Sequence, residues 1–280
     1  MHDYRCNYLR SPSDERLFQP IVEITNECNL RCPQCFVQAG RIDAATLRMD
    51  TLMGLLDEMY ELGAEAVKII GGEPLLYPEL VSNAVKHARG MGMYVSLETN
   101  GTMLTEEIAK LLDRYEVFTH MTIYAGSEEG YRQFGGREVF QKVVKGLKIL
   151  SKIHMHQVKI SVIKINLSEF DKMLKLVEES GVKHAILYTC IKIGRATVDV
   201  QRLGISDDIL TELYDRVDSR FKQLNDPRNA LPRASSIMPY CFAINNLPYI
   251  AANGDVYPCP FSLYPVMRLG NIYEEKLGEI

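Results

Sequence analysis

At 280 residues the chain is long enough for one barrel-sized core plus an extension, and its net charge of -4, with an isoelectric point near 5.9, excludes general attraction for nucleic acid or an acidic membrane. Seven cysteines, with no charged-then-apolar signal pattern in the first thirty residues, argue against a disulfide framework. No apolar run reaches eighteen residues, so the expectation is a cytoplasmic protein with no membrane span and no nucleic-acid partner.

In chain order, an N-terminal segment (1–19) precedes a repeated strand-then-helix pattern. Candidate strands are Ile21 to Thr25, Ala66 to Ile70, Met93 to Leu97, Val117 to Tyr124, Gln157 to Ile163 and His184 to Thr189. After the first strand, Leu52, Leu55, Leu56 and Met59 repeat at helical spacing, and Gly63 stands where that helix would stop. Pro78 opens the second helix, and Thr105, ahead of Glu106 and Glu107, caps the third. Lys142, Lys145, Lys148 and Lys152 form a basic stripe opposite Val143, Val144, Leu147 and Leu150. That pattern reads as the solvated side of an amphipathic helix, with a docking surface for an acidic peptide or electron donor as the alternative. Ser168 is expected to cap the fifth helix and Ser206 the sixth. Six such units predict a partial (β/α)6 TIM-like barrel over 20–224, with function gathered at the carboxyl ends of its strands.

Chemistry concentrates after the first strand, in Cys28-Asn29-Leu30-Arg31-Cys32-Pro33-Gln34-Cys35. An iron-sulfur cube usually takes four thiolates. This run supplies three, and no cysteine follows before Cys190, so one iron would stay open to a non-protein ligand. A structural zinc site or a group of core thiols also fits a cysteine cluster. Zinc sites are normally closed by four Cys or His ligands, and no histidine lies between His2 and His87. After the second strand comes Gly71-Gly72-Glu73-Pro74, whose glycines allow close backbone approach and whose amides can bond a carboxylate or amine.

A C-x3-C-x2-C loop after one strand and GGEP after the next resemble the radical S-adenosylmethionine (radical SAM) enzymes over residues 20 to 200. The resemblance implies that Cys28, Cys32 and Cys35 hold a 4Fe-4S cluster whose open iron chelates S-adenosylmethionine. It further implies that Gly71, Gly72 and Glu73 meet that cofactor's amino group, with Pro74 shaping the turn. One-electron cleavage would then yield methionine and a 5'-deoxyadenosyl radical that abstracts hydrogen from a substrate. Asn166, after strand five, and Arg195, after strand six in Gly194-Arg195-Ala196, resemble the polar groups that the family turns toward the cofactor. Two departures stand out: Gln34 replaces the aromatic residue often found before the third cysteine, and Thr122-Ile123-Tyr124-Ala125-Gly126 replaces a Ser and an Asp-Gly after strand four. Cys190, at the mouth of the barrel, reads as a hydrogen-atom donor or as a core cysteine.

Residues 225–240, rich in turn formers, read as a linker. Beyond it, Pro248 to Ala252 and Asp255 to Tyr257 flank Asn253-Gly254, a strong hairpin signal. Cys241 and Cys259 around that hairpin resemble the opening half of a SPASM or twitch extension (241–280), and imply an auxiliary iron-sulfur cluster short of ligands, with Cys6 and Cys190 as the spare thiols. Asn271 to Leu277 reads as the start of an amphipathic helix, which suggests that the natural chain continues.

The expected function is therefore a radical SAM enzyme acting on a peptide in a maturase-type modification. It would take electrons from an external donor such as flavodoxin or ferredoxin, and the peptide would dock either directly or through a separate peptide-recognition protein. A small-molecule substrate (sugar, aminocyclitol or tetrapyrrole precursor) is the alternative within the class. A non-catalytic iron-sulfur or zinc binding module is the alternative outside it.

Overall fold

The structure, a computed structural model, describes residues 17–134, 138–190, 193–197, 203–222 and 247–280. Six parallel strands alternate with helices in chain order: β1 (Ile21–Glu23), α1 (Met49–Glu61), β2 (Ala66–Ile70), α2 (Pro78–Gly90), β3 (Tyr94–Thr99), α3 (Glu106–Arg114), β4 (Phe118–Ile123), α4 (Glu128–Arg132), α5 (Phe140–Leu150), β5 (His156–Val162), α6 (Phe170–Glu179), β6 (Ala185–Thr189) and α7 (Asp207–Asp218). Three short strands follow, β7 (Tyr249–Ile250), β8 (Asp255–Tyr257) and β9 (Gly270–Asn271). The nine strands make one open sheet in the order β6-β5-β4-β3-β2-β1-β7-β8-β9. The fold is thus the expected partial barrel with a hairpin-bearing extension.

β1, β2 and β5 are buried along their whole length, and the barrel strands are not uniformly apolar. In β5, Val158, Ile160 and Val162 belong to the main core, which they share with Met173, Leu174 and Val177 of α6. The intervening Lys159 and Ser161 line an interior cavity. The same period of two puts Val67 and Ile69 of β2 in the core and Lys68 and Ile70 on the cavity, with Glu98, Thr122 and Tyr188 as counterparts on β3, β4 and β6. A fully apolar parallel strand would fill the barrel; these half-polar strands leave a chamber.

Helix signals hold where the side chain can reach. Leu52, Leu55, Leu56 and Met59 are the buried face of α1, and Gly63 takes φ +86° just past its end. Thr105 Oγ1 accepts the Ile108 N–H at 3.3 Å, capping α3. Lys142, Lys145 and Lys148 lie exposed on α5 while Val143, Leu147 and Leu150 are buried. Two caps differ from expectation. Ser168 falls inside a 3-10 turn (Lys164–Glu169), because the Asn166 carboxamide captures the Ile163 N–H at 2.7 Å and starts the turn early; Glu169 precedes α6 instead. Ser206 stands at the start of α7 but its side chain makes no capping bond.

The extension extends the barrel's own sheet. β7 pairs parallel to β1 (Ile21 with Tyr249, Val22 with Ile250) and antiparallel to β8 across the Asn253-Gly254 turn, where Gly254 has φ +89°. Residues 271–277, expected as a helix start, form β9 and turns. The Asn271 side chain donates to Asn253 O at 3.2 Å and to Asp255 Oδ1 at 2.9 Å and accepts the Tyr273 N–H at 2.9 Å, which favours a turn over a helix. The linker at 225–240, Cys6 and Cys241 lie outside the described residues, as does the N-terminal segment up to residue 16. No helix among the described residues is long and apolar enough to cross a membrane.

Candidate functional site

The chamber opens at the carboxyl ends of the strands, and Cys28, Cys32 and Cys35 all line it. Two backbone donors and one side chain face their sulfurs: Leu30 N–H points at Cys28 Sγ (3.4 Å), Ala39 N–H at Cys35 Sγ (3.3 Å), and the Asn100 carboxamide at Cys28 Sγ (3.9 Å). Burial pushes the Cys28 thiol up to about 12, with Glu73 and Cys35 adding repulsion. Burial and the two neighbouring sulfurs raise Cys32 well above its ordinary value, and burial also raises Cys35 against the pull of Arg195. One buried and two half-buried thiols that all resist ionisation, yet carry N–H donors aimed at two of their sulfurs, are suited to a positively charged metal group that takes them as thiolates. No three His, Cys, Asp or Glu side chains among the described residues converge on a single ion. A cube does not require this, since each thiolate binds a different iron.

GGEP meets this loop by backbone contact. Gly72 N–H donates to Thr25 O (2.7 Å) and Glu73 N–H to Glu27 O (2.8 Å). A Cβ on Gly72 would sit 2.1 Å from Glu27 O and 2.9 Å from the Cys28 Cβ, so glycine is required by the cysteine loop itself. With those N–H groups engaged internally, the segment offers a ligand carbonyl oxygen rather than amide hydrogen, which suits an amino group. Gly71 and Gly72 line the chamber. The Glu73 side chain turns away from it: Oε1 accepts from Leu75 N–H (3.0 Å) and Thr99 Oγ1 (2.6 Å), and Oε2 from Asn100 N–H (2.7 Å). Burial raises its carboxyl to about 7 despite these bonds. Glu73 therefore ties the β2 and β3 ends together, with Pro74 buried behind it.

The remaining expected positions divide. Arg195 lines the chamber and braces the cysteine loop, Nε donating to Cys32 O (3.0 Å) and an Nη to Ala39 O (2.8 Å), while its own N–H donates to Cys35 O (3.0 Å). Asn166 does not reach the chamber; besides capturing Ile163, its amide donates to Tyr124 O (2.7 Å) and Ser161 O (2.9 Å), so it joins β4 to β5. Cys190 is on the chamber wall, and burial raises its thiol so that it keeps its proton near neutrality. Cys259 lies in a turn with Ser262, whose Oγ accepts its N–H at 3.1 Å; its expected partner Cys241 is outside the described residues.

The expected site residues did not include the interior charges. Lys68 and Lys159 both donate to Glu98 Oε1, at 2.9 and 2.5 Å, on the chamber wall. Burial would raise Glu98, but the two ammoniums outweigh it and hold the carboxyl far below its usual range; burial lowers Lys159 to about 8. The available signal was a lysine at an alternate position in two apolar runs, Ala66-Val67-Lys68-Ile69-Ile70 and Val158-Lys159-Ile160. Gln34 links the cysteine loop to the same wall through Ser161 Oγ at 3.2 Å.

Residues 22–177 match the Radical SAM superfamily, and 241–280 match the SPASM iron-sulfur cluster-binding domain. Among curated relatives, an AdoMet-dependent heme synthase of Methanosarcina barkeri is 25% identical over 92% of this chain and 80% of its own. The mycofactocin maturase MftC of Mycobacterium tuberculosis is 27% identical over 90% of this chain and 67% of its own. A Methanocaldococcus jannaschii protein is 31% identical, but over 56% of this chain and 51% of its own. Among solved structures, Streptococcus suis SuiB bound to S-adenosylmethionine shares the fold at TM-score 0.71 and 17% identity, covering 95% of this chain; the chain spans 65% of SuiB. With the superfamily match covering more than half of its length and both signature segments meeting at one chamber, the chain belongs to the radical SAM superfamily and carries a SPASM-type C-terminal region.

Proposed function

We propose that this radical SAM enzyme modifies a peptide, with residues 20–224 as the catalytic core and 241–280 as a cluster-bearing extension that borders the substrate chamber. The observation that carries the chemistry is the convergence of Cys28, Cys32, Cys35, Gly71 and Gly72 on one chamber. Those thiols would hold the 4Fe-4S cluster, and the Gly71-Gly72 carbonyl side would take the amino group of S-adenosylmethionine. When bound, the two supply one-electron cleavage of a sulfonium and a carbon radical able to take hydrogen from substrate.

The chain's own residues position and shield. Arg195 fixes the carbonyls of the cysteine loop, and Glu73 aligns the glycine turn with Thr99 and Asn100. Cys190, protonated on the wall, would return a hydrogen atom to a substrate radical; the sulfur radical left behind would be restored to the thiol by one electron from an external donor such as flavodoxin or ferredoxin and one proton from solvent. Cys241 and Cys259 would contribute thiolates to an auxiliary cluster. A peptide substrate is supported by the extension, whose Leu247, Pro260 and Phe261 line the chamber, and by likeness to MftC, to a subtilosin biosynthesis protein of Bacillus subtilis, and in fold to SuiB bound to precursor peptide SuiA. Docking of that peptide would involve a separate recognition protein.

The second reading is a small-molecule substrate. The charged interior wall favours it, as does likeness to the heme synthase, an Fe-coproporphyrin III synthase and a probable GTP 3',8-cyclase.

The test is anaerobic reconstitution followed by reductive cleavage of S-adenosylmethionine. Wild type should form 5'-deoxyadenosine and the Cys28→Ala/Cys32→Ala/Cys35→Ala variant none; undiminished product in that variant removes the cysteines from the site. A mass change in a short peptide encoded beside the gene supports the peptide reading, and Cys190→Ser should then block solvent deuterium uptake into product while cofactor cleavage continues.

A further inference from the structure

We propose that Lys68 and Lys159, bridged by Glu98, form a carboxylate-binding subsite on the interior wall of the chamber, which anchors the substrate by an acid group. The inference rests on reading this chamber as the substrate site.

Charge arithmetic is the first argument. Two ammoniums face one carboxylate, and both engage the same oxygen, Glu98 Oε1. Lys68 and Lys159 side chains are only 9% and 7% exposed, and among the described residues Glu98 is the carboxylate paired with either of them. Two further buried acids are turned elsewhere: Glu23 directs Oε2 at the Ala252 N–H, and Glu73 accepts from Leu75, Thr99 and Asn100. Taking a charge out of water is unfavourable unless it is fully compensated, and two ammoniums sharing one carboxylate oxygen are compensated only in part, a deficit that an incoming anion removes. The cluster thus carries one positive charge in excess of its carboxylate.

Geometry is the second. All three side chains line the open chamber rather than the helix-packed face of the sheet, and each ammonium has donors beyond the one given to Glu98. Lys159 stands one inward step below Ser161, which bonds Gln34 beside Cys35, so the subsite lies about 7 Å along the strand from the cysteine loop's contact. An acid held there would leave carbons several bonds away at the level of the cysteines. Lys159 Nζ also lies 5.2 Å from the Tyr188 ring centroid, a cation–π contact that helps fix the ammonium on the chamber wall. A carboxylate suits paired ammoniums sharing one acceptor, since its second oxygen completes the arrangement across the two lysines.

The carboxyl group can belong to a peptide or to a small organic acid. The experiment measures the melting temperature of the full-length reconstituted protein at matched ionic strength with N-acetyl-alanyl-alanine, its C-terminal amide, glutarate and glutaramide. An acid should raise Tm over its amide by about 2–5 °C near saturation. A shift with the dipeptide acid alone assigns the subsite to peptides, one with glutarate alone to small acids, and both are consistent with the subsite. The difference should vanish in Lys68→Met and in Lys159→Met and persist in the surface control Lys142→Met. No acid-over-amide difference in wild type overturns the proposal without any variant, as does a difference that survives both lysine substitutions. A failure of the radical reading appears separately, as absent 5'-deoxyadenosine in wild type, and leaves this readout intact.

Discussion

Arg195 and Cys32 are 163 positions apart, yet the guanidinium Nε donates to the Cys32 carbonyl at 3.0 Å. A segment after the last barrel strand thereby holds the loop after the first, and Gly194 permits it: a Cβ there would lie 2.2 Å from Phe36 O. Charged-donor bonds of this kind contribute about 1.5–3 kcal/mol each. Arg195→Ala should leave the barrel folded but lower iron retained per chain by at least about half after gel filtration, with Arg195→Lys intermediate because a single ammonium cannot span both carbonyls. Iron and sulfide assays check this, and full retention in Arg195→Ala would show that the loop is held by other contacts.

Gly72 tests how the two signature segments meet. The nearest obstacle to a side chain there is Glu27 O at 2.1 Å, next to Cys28. Gly72→Ala should therefore lower iron content and cofactor affinity together. Normal iron with weakened cofactor binding would show that the side chain meets the cofactor and not the cysteine loop.

Asn166 serves as a tie between strands. Asn166→Ala strips partners from a buried N–H, one buried carbonyl and one part-buried carbonyl, a loss of about 2–4 kcal/mol. Chemical denaturation should show that loss while the folded fraction binds S-adenosylmethionine with unchanged affinity. A tenfold affinity loss at unchanged stability would place the residue on the cofactor.

Glu23 gives a pH signature. Burial raises its carboxyl to about 7, against the opposing Ala252 N–H bond. The folded state then holds a proton that the unfolded chain releases near pH 4.5, so this contribution is fully present below pH 4.5 and lost as pH rises through about 7. The total is roughly 3 kcal/mol at 1.36 kcal/mol per pKa unit. Glu23→Gln should flatten the stability slope between pH 5 and 7 by up to one proton, about 1.4 kcal/mol per pH unit. An unchanged slope would mean that the carboxyl titrates normally.

What could be read in advance follows contiguity. The cysteine loop and GGEP are short runs whose spacing is written in one stretch of chain, and the strands Ala66–Ile70 and Ala185–Thr189 stood out because apolar runs bounded by glycine or polar residues have few other uses. The Lys68–Glu98–Lys159 bridge was not legible, since it is assembled from three strands and only their order and register bring it together. Glu73 was assigned to a ligand because a motif reports adjacency and not direction; its side chain follows Thr99 and Asn100 instead. Asn166 and Asn271 misled for a common reason: a carboxamide with several backbone partners nearby builds turns, whatever periodicity surrounds it.

The pairing of β7 with β1 makes the molecule's assembly depend on its last quarter. The Glu23–Ala252 bond closes over 229 residues, so on the ribosome the β1 edge beside the cysteine loop waits roughly ten to fifty seconds for its partner at 5–20 residues per second. Through that interval an unpaired strand edge and three thiols are exposed together, open to premature oxidation or to pairing with another nascent chain. Cluster insertion that follows completion of the extension would avoid both, and the same extension sets Leu247, Pro260 and Phe261 against the chamber.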